Sequence, residues 1–244
     1  METEGSGKFA LVIPTLNEVG NIRTLIERVQ TALSRTNINY ELIIVDDNSK
    51  DGTAELVSRY AEHDSRIRLL VRIGERGLAG AVIHGWDNTD ADLLGVMDAD
   101  LQHPPELLPE LVNAMNRGND IVVASRYASN GAVGNWNAVR HFISRASTIA
   151  TLPLQRPGLR IKDPMSGFFI VRRKAIEGIN LQPQGFKILL EILVRGRIRR
   201  AEEVPFTFAT RHAGESKASL KVAIQYFSLL GKLSRYALFR AGQQ

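Results

Sequence analysis

The sequence predicts an α/β chain built on a mostly parallel central sheet with helices on both faces, and three observations carry that expectation. Apolar runs of strand length alternate with segments of helical periodicity from Phe9 onward. The runs Phe9 to Ile13, Glu41 to Val45 and Leu93 to Met97 are apolar almost throughout, as strands covered on both faces are. Each run ends in turn-forming or acidic residues, and the ends of parallel strands are where open α/β sheets bind ligands. At 244 residues the chain is long enough for one such domain with an appendage.

The first run ends at Pro14, and apolar residues then recur at helical spacing from Asn21 to Leu33. A second unit follows the same plan. Glu41 to Val45 is a strand, Asp46 to Ser49 a turn, and Thr53 to Glu62 a helix with Thr53 as its expected N-cap. Carboxylates at that strand end suit the hydroxyls of a ribose or the edge of a base, although a plain turn accounts for Asp47 and Asn48 equally well. Ile67 to Val71 is a third strand. The glycine-rich turn Gly74 to Ala81 opens the next helix and can admit phosphate or sugar close to the backbone, but it does not match the dinucleotide fingerprint.

The central strand Leu93 to Met97 leads into Asp98, Ala99, Asp100, Leu101 and Gln102, and then into a helix opened by Pro104 and Pro105. In an extended segment residues 98, 100 and 102 share a face. Asp98, Asp100 and Gln102 would then present three hard oxygens to one point, a donor set that suits Mg²⁺ or Mn²⁺ completed by water and substrate phosphate. A solvated acidic turn is the plainer alternative.

Asp120 to Ser125 is another strand, ending in Arg126 and Tyr127. The rhythm then changes to a small-residue loop and a helix from Trp136 to Leu152, on which Arg140 and Ser144 share a face that suits a phosphate or solvent. Asp163 to Ile170 is a turn entering a strand, Ile188 to Val194 a short helix and Arg199 to Pro205 a strand. Arg211 to Lys217 offers cations, a hydroxyl and a glycine, as a loop closing over a pyrophosphate or a simple linker would. Ser219 to Arg240 is one long helix with a thin polar stripe and a wide apolar face, suited to a membrane surface or to its own domain.

Composition bounds the function. No Cys occurs, which excludes disulfides, thiolate zinc and a cysteine nucleophile. No signal peptide or spanning helix is evident, so a cytoplasmic protein is expected. Residues 1 to 155 carry 14 Lys and Arg against 20 Asp and Glu, a balance of −6, whereas residues 156 to 244 carry 17 against 6, a balance of +11. That basic second part implies an anionic partner or a solvated surface. Its aromatics do not alternate with charge as a nucleic-acid stacking platform would, so no nucleic-acid partner is expected.

Taken in order, Val12 to Glu18, Val45 to Ser49, Gly77 to Ala81, Asp98 to Glu106, Ser125 to Tyr127, Asp163 to Phe169 and Arg211 to Lys217 resemble glycosyltransferase family 2. The resemblance is strongest to its polyprenyl-phosphate hexosyltransferase branch, typified by dolichol-phosphate mannose synthase, and spans roughly residues 8 to 217. It implies a GT-A (Rossmann-like) domain over residues 8–217, after a flexible stretch 1–7 and before an interfacial or partner-binding amphipathic helix, 218–244. By motif it implies that Pro14, Asn17, Glu18, Asp47, Asp98, Ala99, Asp100, Arg211 and Lys217 bind the donor nucleotide, that Asp98, Asp100 and Gln102 hold the metal, and that Arg126, Arg140 and Ser144 receive the acceptor phosphate. The reaction implied is inverting transfer of a hexose, mannose from GDP-mannose before glucose from UDP-glucose, to a polyprenyl monophosphate, with Asp98, Asp100 and Arg211 as the catalytic set. Many relatives continue into transmembrane helices. Attachment to the cytoplasmic face of a membrane would rest here on the final helix or on small membrane subunits. A glycan hydroxyl acceptor is the alternative, and it would need Asp163 or Glu191 as a base. A regulatory or scaffold subunit is the non-enzymatic alternative.

Overall fold

The computed structural model describes residues 7–34, 36–128, 148–156, 158–182, 187–207 and 228–236. Seven strands form one sheet: β1 (Phe9–Thr15), β2 (Tyr40–Asp46), β3 (Ile67–Val71), β4 (Leu93–Val96), β5 (Ile121–Ser125), β6 (Phe169–Arg172) and β7 (Ala201–Pro205). Their spatial order is β3-β2-β1-β4-β6-β5-β7. β1, β2, β3 and β4 run parallel, and so do β5 and β7, while β6 runs antiparallel to both of its neighbours. One antiparallel strand fits the expected mostly parallel sheet; its direction was not read from the sequence, since periodicity reports which faces are buried and not which way a strand points.

Alternate side chains of each strand enter opposite layers. Phe9, Leu11 and Ile13 of β1 pack with Leu42 and Ile44 of β2 on one face, whereas Ala10 and Val12 join Ile43 and Val45 on the other. The first face is covered by α1 (Val19–Ser34), through Ile22, Leu25, Ile26, Val29 and Leu33, and by α4 (Leu108–Asn116). The second is covered by α3 (Leu78–Asp87) and the helix Ile188–Arg195. The helices α2 (Thr53–His63) and α5 (Arg173–Ile176) complete the set, and Ile188–Arg195 is α6. Both layers are apolar and almost fully buried. Each fully buried Leu, Ile or Phe contributes about 1.5–3 kcal/mol relative to exposure, which explains why these strands tolerate almost no polar residue.

Successive strands run outward from β1 through β2 to β3, and the chain then returns to place β4 on the other side of β1. The crevice between the carboxyl ends of β1 and β4 is thus the topological switch point, where such sheets bind ligands.

Two local expectations are corrected. The N-cap of α2 is Gly52, not Thr53. Thr53 is instead the first helical residue, and Asp51 accepts its N–H at 3.1 Å and its hydroxyl at 2.6 Å. The chain after Pro104 enters a 3₁₀ turn, Pro105–Leu107, before α4 begins. Residues 228–236 of the expected long helix are helical, and their Leu229, Leu230 and Leu233 pack on Leu190 and Val194 of α6. No helix among the described residues is long and apolar enough to cross a membrane.

Candidate active site

The edge of the crevice is built from four loops. Where β1 ends, Asn17 takes a left-handed conformation at φ 58°, and its side-chain oxygen accepts the Lys50 N–H at 2.9 Å. Its own N–H donates to Ser49 Oγ at 2.7 Å. The next residue, Glu18, donates its N–H to Thr53 Oγ1 at 3.0 Å, and Val19 donates to Asp51 Oδ2 at 3.0 Å. The loops after β1 and β2 are therefore stapled together. Burial works against the Asp51 charge, but the bonds from Thr53 and Val19 outweigh it and hold its carboxyl below the usual range.

Asp46 and Asp47 do different work. Asp46 is fully buried and accepts Thr15 Oγ1 at 2.9 Å and Ser49 Oγ at 2.6 Å, a purely internal role. Asp47 faces Arg72, whose Nε and Nη2 lie 2.8 and 2.6 Å from Oδ1, while Gly77 donates its N–H to Oδ2 at 2.8 Å. The glycine-rich turn before α3 is thereby fastened to the end of β2. One of its N–H groups serves Asp47 instead of waiting for a phosphate. Arg72 was not among the residues expected at the site; a lone arginine closing an apolar strand was the signal.

At β4, Asp98 and Asp100 are half-buried at the strand's carboxyl end. The chain carries them through a turn and not through the extended pleat that their spacing implied. Leu101 is left-handed at φ 60°, and the Gln102 N–H folds back to Asp100 Oδ1 at 3.1 Å. Gln102 itself is buried, and Ala99 packs into the core below the crevice. Among the described residues no three His, Cys, Asp or Glu side chains are arranged to hold a metal.

From the far side of β4, Arg126 after β5 meets Asp163. The guanidinium binds in a fork, Nε to Oδ2 and Nη2 to Oδ1, both at 2.7 Å, and the Arg126 N–H adds a third bond at 3.0 Å. Asp163 is fully buried, and the N–H groups of Lys162 and Asp163 donate in turn to Glu203. Lys187 at the start of α6 reaches back to donate to the Met165 carbonyl at 3.3 Å. Burial lowers its ammonium pKa to about 8, with Arg126 pushing the same way and Asp98 and Asp163 opposing. Asp98, Arg126, Asp163 and Lys187 are thus one electrostatic cluster at the switch point.

A family model described as glycosyl transferase family 2 matches residues 10–179. The chain belongs to glycosyltransferase family 2. It is 42% identical to a dolichol-phosphate mannosyltransferase of Pyrococcus furiosus over 94% of this chain and 64% of that protein, so it spans somewhat under two thirds of that relative. It is 39% identical to the dolichol-phosphate mannosyltransferase of Saccharomyces cerevisiae, over 93% of this chain and 86% of that one. Among solved structures, glucosyl-3-phosphoglycerate synthase of Mycobacterium tuberculosis, in complex with Mn²⁺, UDP-glucose and phosphoglyceric acid, superposes with a TM-score of 0.69 at 17% identity. That match covers 95% of this chain and 82% of the other, and it establishes a shared fold.

Not every residue expected at the glycosyltransferase's site can be placed. Arg140, Ser144, Arg211 and Lys217 lie outside the described residues. The two carboxylates considered as bases for a hydroxyl acceptor are both placed, and both are engaged elsewhere. Asp163 is sealed against Arg126. Glu191 is buried on α6, ion-paired to Arg195 at 2.5 Å, beside the helical segment 228–236.

His103 completes the transferase's crevice floor. It is buried, lies edge-on to Phe168 with centroids 5.7 Å apart, and packs against Phe206 at 5.5 Å. Burial pushes its pKa down to about 4, so it is neutral in the folded protein at neutral pH. Below about pH 6.5 the unfolded chain binds this proton and the folded chain does not. Stability is therefore expected to fall as pH drops from about 6.5 towards 4, by roughly 3 kcal/mol in all. Urea unfolding between pH 7 and 4.5 checks this; a slope unchanged in His103→Phe contradicts it.

Proposed function

We propose that this glycosyltransferase transfers mannose from GDP-mannose to a polyprenyl monophosphate, with inversion at the anomeric carbon, giving a β-linked lipid phosphomannose. The names of its relatives support the sugar and the acceptor class. The observation that carries the reading is the engagement of both candidate bases, Asp163 by Arg126 and Glu191 by Arg195. A hydroxyl acceptor needs a base to take its proton. A phosphate monoester, with its second pKa near about 6, arrives ionised and needs none.

Asp98 and Asp100 would hold a divalent cation, Mg²⁺ or Mn²⁺, with Gln102 as the third expected donor. Carboxylate oxygens beside a diphosphate are the hard-oxygen environment such ions prefer, and the Mn²⁺ of the structural neighbour supports the same choice. When bound, the ion would neutralise charge developing on the leaving diphosphate. Pro14, Asn17, Glu18 and Asp47 hold the nucleoside in this reading, and Arg211 and Lys217 close on the diphosphate. Arg126, oriented by Asp163, meets the lipid phosphate together with Arg140 and Ser144. Arg140→Ala is expected to raise KM for the polyprenyl phosphate about tenfold or more, in line with loss of one charge-assisted contact, with GDP-mannose affinity nearly unchanged. Calorimetry with the donor checks the second half; equal loss of donor affinity contradicts the assignment.

Peripheral attachment to the cytoplasmic face of a membrane, through the C-terminal helix or small membrane subunits, is part of the proposal. The test of the reaction is transfer of radiolabelled sugar from GDP-mannose, with UDP-glucose in parallel, to a short polyprenyl monophosphate in detergent, with Mg²⁺ or Mn²⁺ and with EDTA. Butanol-extractable labelled lipid from GDP-mannose, lost in EDTA, is the expected result. Transfer to a glycan hydroxyl but not to the lipid overturns it.

A further inference from the structure

The loop that enters β6 presses its backbone against the carboxylate of Asp98. A Cβ added at Gly167 would lie 2.3 Å from Asp98 Oδ2, 2.8 Å from Cγ and 3.0 Å from Oδ1. All three carboxyl atoms are crowded at once, so spinning the carboxylate about its own axis relieves nothing. The backbone at Gly167 does not require glycine, since its φ is not positive while those of Gly52, Gly74, Gly77, Gly118, Gly158 and Gly178 are. What demands glycine there is the space that Asp98 occupies.

The loop has little room to retreat. On one side Ser166 donates its N–H to the Asp163 carbonyl at 3.2 Å, and Asp163 is gripped by Arg126. On the other, Phe168 is fully buried, its N–H bonded to Ser166 Oγ at 3.1 Å and its carbonyl accepting the Ala124 N–H at 2.9 Å. With the backbone clamped on both sides, the element that yields to a new side chain is the short side chain of Asp98.

We infer that Gly167 is a positioning residue for Asp98, and that the loop from Asp163 to Phe168 is the surface that fixes the direction in which this carboxylate points. The functional part of the inference rests on the reading of Asp98 as a cation ligand; the steric part does not. A methyl group at 167 displaces the Asp98 carboxylate, which lowers affinity for the divalent ion and leaves the acceptor side alone.

The test is a double-mutant cycle on the full-length protein, comparing Gly167→Ala in the parent and in Asp98→Ala. In the parent, overpacking lowers the unfolding midpoint by roughly 2–10 °C. In Asp98→Ala the crowded atoms are gone, and the same substitution leaves the midpoint nearly unchanged. Failure of Gly167→Ala to fold while the double variant folds carries the same meaning. An equal loss in both backgrounds, or failure of both to fold, overturns the inference, because some other neighbour then demands the glycine. Binding of Mn²⁺ to the protein with GDP, followed by electron paramagnetic resonance, is expected to weaken at least tenfold in Gly167→Ala, with KM for polyprenyl phosphate unmoved. Parental Mn²⁺ affinity in a folded Gly167→Ala overturns the functional part. Coupled midpoints in a parent that binds no Mn²⁺ at all retain the steric inference and sink the cation reading instead.

Discussion

Asp100→Ala is expected to lower mannosyl transfer about 10³-fold while leaving the unfolding midpoint close to that of the parent, because a group that stabilises charge only as the diphosphate departs acts on the transition state and not on folding. Asp100 sits half-buried at the carboxyl end of β4, where it accepts the Gln102 N–H in a local turn. Losing that turn costs little. If Asp100 ligates the proposed cation, losing its carboxylate removes one of the ion's anionic donors. The measurement is kcat with saturating GDP-mannose and lipid at several Mn²⁺ concentrations, alongside thermal unfolding. Transfer at the parental rate in Asp100→Ala, or in the parent with excess EDTA, would refute the metal role.

The second large effect is on stability. Asp163→Ala is expected to cost about 3–5 kcal/mol, since it strands the Arg126 guanidinium, only 11% exposed, without its bidentate partner. The backbone N–H of Arg126 loses its acceptor as well. Removing both partners in Arg126→Ala/Asp163→Ala should restore part of that loss, because the uncompensated buried charge goes with it. Chemical denaturation of the three variants measures this. Were Asp163 a general base, Asp163→Asn would abolish transfer to a glycan hydroxyl at temperatures where the variant is still folded.

Legibility varied with how local the signal was. The alternation of buried strands and amphipathic helices was readable along the chain, and six of the seven strands run in the direction that pattern implied. Asp98 and Asp100 were readable as two carboxylates closing a buried strand, a pattern that suits a cation site or a solvated acidic turn. Their geometry was not: the spacing implied a shared pleat face, whereas Leu101 turns the chain through a left-handed residue. Lys187 left a fainter trace. A cation at the start of a helix opposes the helix dipole, so its presence at the N-terminus of α6 calls for an anionic neighbour, here Asp98 and Asp163.

The sequence by itself determined the fold class and the strand ends at which a ligand is expected, since each depends on periodicity or on residues adjacent in the chain. Only the tertiary structure decided which charges cancel. Asp47 meets Arg72 across 25 residues, Arg126 meets Asp163 across 37, and Gly167 meets Asp98 from the loop entering a strand that runs the other way. Such pairings are set by strand order and direction in the folded sheet, which the linear spacing of residues does not encode. They turn Asp163 from a candidate base into the partner of a buried cation.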